Sequence, residues 1–97
     1  MYIPQIMDTS NILLPEEIIR LQETLSKNTH EHWAKNKIAS GWVYGEVLDA
    51  KNKTHPDLVP YNLLSEEKKD YDRTTSMETL KLLYSLGYRL VKEKREI

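Results

Sequence analysis

An amphipathic stretch that runs from Pro15 to a stop at Ser40-Gly41 does most to limit what this chain can fold into. Leu14-Pro15-Glu16-Glu17 has the form of a helix start. Proline suits the first helical position because its missing N–H would have no partner there, and the two glutamates favour the positive end of the helix dipole. At about 100° per residue, Ile18, Leu21, Leu25, Thr29, Trp33 and Ala39 share one broad face, and Ile19, Ser26 and His30 widen one edge of it. The opposite face carries Glu16, Arg20, Glu23, Lys27, Glu31 and Lys35, spaced as three Glu-to-base pairs at i, i+4. Asn28 and Asn36 interrupt the apolar side, and the stretch is weakest at Lys27–Thr29. The pattern predicts one helix over about 15–39, ended by Gly41. Such a helix has to lay its apolar face on other elements.

Beyond Gly41 the helical period is lost until Leu64. Trp42-Val43-Tyr44 reads as a short extended stretch and Asp49–Lys53 as a polar loop. His55-Pro56 and Val59-Pro60 enforce extended or turn geometry, because a residue before proline avoids the helical region. A loop of this length in a small domain is functional or held down by anchors. Trp42, Tyr44, Leu58, Val59 and Tyr61 are the anchors available. Ser65-Glu66-Glu67-Lys68 then predicts a short helix over about 65–72 with Ser65 as its cap. Thr75-Ser76-Met77-Glu78 has the form of a capping box and predicts a further helix over about 76–86, with Met77, Leu80, Leu83 and Tyr84 inward and Gly87 as the stop. Tyr88–Val91 alternates enough to be a short strand that could pair with Trp42–Tyr44. Asp8–Asn11 is a turn cluster, residues 1–7 form an arm and 89–97 a tail. The expected fold is mainly α: one small helical domain, its core over about 8–88, with an ordered aromatic loop over 41–64 and minor two-stranded pairing.

Composition removes several function classes. The 97 residues suffice for one domain and include no cysteine, so disulfides and thiolate metal sites are excluded. With 14 basic and 15 acidic residues the net charge is −1, and the two signs are interleaved, which argues against a nucleic-acid partner. No segment approaches the ~20 apolar residues that span a bilayer, and the N-terminus lacks the charge and apolar run of a secretory signal. The expectation is a cytoplasmic protein without membrane insertion. Phenylalanine is absent, whereas there are two Trp and six Tyr. Every large ring thus carries a polar handle, which predicts a core with polar seams.

The search for chemistry yields little. His30 and His32, two apart on a helix, point about 200° apart and cannot share an ion. His55 stands alone before a proline. No metal and no cofactor are expected. There is no Gly-x-Ser-x-Gly elbow, and Gly41 and Gly45 bracket aromatic residues instead of preceding a helix, so they do not form a phosphate loop. Asp70 and Asp72 read as solvated carboxylates. No set of nucleophile, base and orienting group emerges, and the chain is expected not to be an enzyme. Arg73 in Tyr71-Asp72-Arg73 is a natural fork for a carboxylate or phosphate. It either pairs with Asp72 or a glutamate to hold two helices together, or it binds a ligand. Lys53 and Lys81 pose the same choice.

Together these motifs resemble the RyR domain, the repeat of the cytosolic part of ryanodine receptors, found also as isolated bacterial and phage copies. The resemblance rests on Asp8-Thr9-Ser10, Leu14-Pro15, Asn28, His30-Glu31, Trp33-Ala34, Ile38 and Gly41-Trp42-Val43-Tyr44-Gly45. It continues through Lys53, His55-Pro56, Leu58-Val59-Pro60-Tyr61, Leu64-Ser65, Glu67-Lys68, Tyr71-Asp72-Arg73, Glu78-Thr79-Leu80-Lys81 and Leu86-Gly87-Tyr88. The ordered series Gly-Trp-x-Tyr-Gly, His-Pro, Val-Pro-Tyr and Tyr-Asp-Arg is its specific part. The resemblance implies a helical module with the long loop packed across its helices. In the channels such repeats are paired at the periphery of a large assembly, and the loop between them is a phosphorylation region. This chain carries one copy without that loop, so neither channel activity nor the phosphorylation sites carry over. For isolated copies the resemblance implies ligand sensing, of a nucleotide-derived molecule by analogy.

Two readings of the loop follow. In the first, Trp42, Tyr44, Lys53, His55, Tyr61 and Arg73 form a non-catalytic site for a small anionic ligand or a protein segment, since aromatic walls with convergent polar groups make a pocket. In the second, the same residues pin the loop to the helices, in a structural or assembly module; a self-associating patch on the third helix or the C-terminal arm, able to form a homo-oligomer, would favour it. Trp42 is expected to be largely buried and Tyr44 to reach a cleft.

Overall fold

The computed structural model describes residues 1–94, and the last part of the expected tail, 95–97, lies outside the described residues. The chain is mainly α. A four-residue helix α1 (Glu16–Ile19) leads into α2 (Gln22–Ala39), and β1 (Val43–Tyr44) and β2 (Thr54–His55) form a small parallel pair. A 3₁₀ turn at Tyr61–Leu63 precedes α3 (Glu66–Ser85), which packs along α2.

The single helix expected over 15–39 is broken, though at Arg20–Leu21 and not at Lys27–Thr29. Both residues sit in a flattened helical turn (ψ −15° and −5°), where Leu21 N–H donates to the Ile18 carbonyl three residues back. In an unbroken helix Ile18 and His30 would point about 120° apart. The turn lets both face inward. Ile18 joins Leu14 and Tyr84 in the apolar core, flanked by Ile12, Met77 and Leu80. The buried stripe of α2 is Ser26 and His30, at 0 and 4% exposure, while Leu21 and Ile38 stay out at 42 and 62%. The polar edge of the expected face is therefore its centre, and it supplies the polar seam that a core without phenylalanine calls for. Ser26 satisfies its hydroxyl on the Gln22 carbonyl at 2.7 Å.

The two helices expected over 65–72 and 76–86 are one continuous helix. Ser65 caps it, its Oγ accepting from Lys68 N–H at 3.3 Å. The second capping signal goes unused. Ser76 and Thr79 donate back to the carbonyls of Asp72 and Thr75, a bond that hydroxyls make inside helices. Glu78 accepts instead from Thr9 Oγ1 at 2.6 Å, tying the N-terminal turn to α3.

Both long helices end in one motif. Gly41 (φ +89°) donates to Ile38 O and Trp42 to Lys37 O; Gly87 (φ +97°) donates to Tyr84 O and Tyr88 to Leu83 O. This is the paired closure that needs a left-handed residue just past the helix, hence glycine. The closure at Gly87 also explains why Tyr88–Val91 is no strand. The chain turns back, and Arg89 lies over the Tyr84 ring and donates to the Tyr84 carbonyl.

Trp42–Tyr44 therefore pairs elsewhere. Val43 lies opposite Thr54 and Tyr44 opposite His55, both strands running the same way. An Asp49 turn makes this parallel return short: the Asp49 carboxylate takes the N–H groups of Lys51 and Asn52, and Lys53 closes the turn at φ +54°. Gly45 has a steric reason. A Cβ there would stand 2.5 Å from Thr54 Cβ, too close to be relieved by a rotamer change. Gly45→Ala should cost about 1–3 kcal/mol, read as a lower urea midpoint with an unchanged slope; an unchanged midpoint would refute the crowding.

Candidate functional site

Residues of functional type gather in two places. One is an ionic node between the long helices. Glu23 of α2 receives Arg73 Nε at 3.1 Å on both carboxylate oxygens, and Arg73 Nη2 as well. Arg73 Nη1 donates to Glu66 and Asp70, each at 2.8 Å. The Tyr61 hydroxyl donates to Glu23 Oε2 at 2.9 Å, which brings the end of the loop into the same node. The Arg73 side chain is only 17% exposed and its fork is filled by protein carboxylates. Its partners are glutamates and Asp70; Asp72 is not among them.

The other place is a cleft of about 420 Å³ whose walls come from α2, the loop and α3. Thr29, His30 and Trp33 line it from α2, His55, Asp57 and Leu64 from the loop, and Lys68, Tyr71 and Asp72 from α3. His30 is buried and fixed by its Nε2, which donates to the Val59 carbonyl at 2.7 Å; its ring stacks on Trp33 at 5.5 Å. His55 stands edge-on to Trp33 at 4.9 Å. Its Nδ1 accepts from Asp57 N–H at 3.0 Å, which leaves Nε2 as the protonated nitrogen of the neutral ring. Asp57 is paired with Lys68. Asp72 differs: it is half-buried, and no donor among the described residues reaches its carboxylate. Burial pushes its carboxyl above the ordinary aspartate range, and nearby His30 offsets this in part.

A family model described as the RyR domain matches residues 2–92. The chain belongs to the RyR domain family. The match takes in the arm, the aromatic loop and all three helices of this RyR domain.

Of the six residues singled out in the sequence, the cleft holds His55 alone. Tyr61 and Arg73 meet at Glu23, outside the cleft. Lys53 donates Nζ to the Ser40 carbonyl at 2.8 Å and so caps α2. Trp42 is half-buried, less than expected, under the Lys37 ammonium at 4.3 Å. Tyr44 is 55% exposed and lines none of the cavities described. Trp33, Tyr71 and Asp72 line the cleft without being among those six. His30 and Trp33 are one helical turn apart, a spacing that puts them on one face. Asp72 reads as a solvated charge until α2 is placed beside it.

The node gives the RyR domain an acid-sensitive side. Arg73 holds the Glu23 and Glu66 carboxyls below the ordinary value, and the Thr9 hydroxyl does so for Glu78. A depressed folded pKa stabilises the fold above the unfolded value of 4.5 and is lost as pH falls through the folded value. Asp72, shifted upward, acts in the opposite direction and relaxes on protonation. Stability should therefore drop as pH falls below about 4.5. Arg73→Met should lower stability at pH 7 and flatten that acid limb. Urea midpoints at pH 7, 5 and 3 that stay parallel in the two proteins would contradict this.

Proposed function

We propose that this RyR domain is a non-catalytic binding module whose ligand occupies the cleft between α2, the loop and α3. The observation that carries this reading is the convergence of Trp33, His55 and Tyr71 with the Asp72 carboxylate, which no donor among the described residues reaches, around about 420 Å³. Ligand sites are concave, aromatic-walled and furnished with a few polar groups of this kind, at volumes of roughly 300–1,000 Å³. The polar groups are suited to recognition more than to turnover. The Thr29 hydroxyl is spent on the Leu25 carbonyl, His30 on Val59 and Lys68 on Asp57. With Lys68 neutralising Asp57, the charge of the cleft left without a partner among the described residues is the carboxylate of Asp72. It favours a ligand that brings hydrogen-bond donors, in contrast to the anion suggested by Arg73 and Lys53.

One observation favours the second reading, a structural or assembly module. Arg73, Tyr61 and Lys53 all bond within the chain. A single experiment separates the two. In Trp42→Phe protein the remaining tryptophan, Trp33, reports on the cleft. A ligand found in a thermal-shift screen of nucleosides, amino-acid amides and small anions should raise the melting temperature by mass action and change Trp33 emission. A flat response in both signals across the screen would sink the binding reading and leave assembly.

A further inference from the structure

The cleft is asymmetric in its hydrogen bonding, and the asymmetry narrows what can enter it. This inference rests on the cleft being the binding site. Its two carboxylates are not equivalent. Asp57 is taken by Lys68, and its backbone N–H is taken by His55 Nδ1. Asp72 has no donor among the described residues and lines the cleft. It is held half-buried on α3 although burial works against its charge. A carboxylate kept in that condition offers two coplanar acceptor oxygens to whatever fills the space beside it. The surfaces beside it are flat: Trp33 and Tyr71 line the same cleft.

We propose that Asp72 accepts a paired hydrogen bond from a flat group with two parallel N–H donors, the N–C–N edge of a guanidine, seated against the aromatic lining formed by Trp33 and Tyr71. Two parallel N–H groups match the geometry of a carboxylate and make the stronger, charge-assisted kind of bond. A delocalised planar group also lies well against aromatic faces. Sources of this edge include the arginine side chain of a peptide and the guanine ring of a nucleoside. An ammonium lacks the fork, adenine presents only one amino group beside an acceptor, and phosphate is repelled by the free carboxylate.

The test uses the full chain with Trp42→Phe, so that Trp33 alone reports. N-acetyl-arginine amide, guanosine, inosine, adenosine and inorganic phosphate are titrated separately by Trp33 emission and by amide NMR shifts at Asp72. At least one of the first two should bind, and which one does identifies the source of the edge. If guanosine is the binder, inosine, which keeps the ring and loses the 2-amino donor, should bind about tenfold more weakly or worse, because an acceptor is left unpaired. If the arginine amide is the binder, N-acetyl-lysine amide should fall by a similar factor. Asp72→Asn should lose about tenfold or more in affinity for the binder while keeping or raising the melting temperature, since a burdened charge is removed. A residue with a purely structural role would lower it. The inosine and lysine comparisons need only unaltered Asp72, so they hold even if the asparagine variant folds poorly. Equal binding of inosine and guanosine, or undiminished binding by Asp72→Asn, overturns the paired-donor inference while leaving the cleft as a binding site. So does adenosine or phosphate binding there while guanosine and arginine amide do not. Silence from all five probes overturns the inference, and the wider screen then decides the binding reading on its own.

Discussion

Tyr61→Ala should lower the unfolding free energy by about 3–5 kcal/mol, the range for emptying the site of a buried aromatic ring. Tyr61 is 5% exposed. It holds the end of the loop against α2, and its hydroxyl enters the Glu23–Arg73 node. The ring lies under the Lys69 ammonium at 5.5 Å and 6.2 Å from His30. Removing it empties that space and strips Glu23 of one of its donors. Tyr61→Phe separates the two effects. It keeps the ring and should cost only about 1 kcal/mol, the usual net value of one hydrogen bond. The reserve is small: the buried apolar side chains among the described residues are Leu14, Ile18, Tyr61, Leu64 and Tyr84. In urea the alanine variant should shift its midpoint several times further than the phenylalanine variant. Equal shifts would mean that the hydroxyl, not the ring, is what matters.

His30→Ala should be nearly as damaging, at about 2–4 kcal/mol. The imidazole is 4% exposed, stacks on Trp33 and donates to the Val59 carbonyl just before Pro60. Proline has no N–H, so Val59 sits where the chain has few donors of its own, and His30 supplies one from another element. The variant loses packing volume and leaves that carbonyl without its partner. His30→Phe restores a ring without the N–H and should recover part of the loss. Thermal melts of the three proteins check the order: wild type, then phenylalanine, then alanine. A phenylalanine variant as stable as wild type would show that the bond to Val59 contributes nothing.

What could be read from the sequence was local, and what could not was set by packing between elements. Gly41, Gly87 and Ser65 were readable because a left-handed helix stop and a side-chain cap are decided within a few residues. The break at Arg20–Leu21 was not, because no glycine or proline marks it; Ile18 and His30 have to face different neighbours. Thr75–Glu78 misled for the converse reason. A sound capping signal was overridden where α3 runs unbroken along α2 with Arg73 bridging them. The candidate site suffered most. For Arg73 and Lys53 the sequence leaves the choice between a protein partner and a ligand open, and in the fold Arg73, Tyr61 and Lys53 all bond to protein groups. The side chains that line the cleft looked ordinary one at a time. Trp33 read as a core residue and Asp72 as a surface charge, and only their meeting across two helices gives them another use.

The cleft has walls from three separate parts of the chain, one from each long helix and one from the loop between them. Opening any one of them would disrupt it, so a ligand held there would bind only the assembled domain. A ligand bound there would work as a fastener for the whole domain, adding to its stability with the logarithm of ligand concentration. With so few buried apolar side chains among the described residues, the amount of folded protein would then itself be a readout of how much ligand is present.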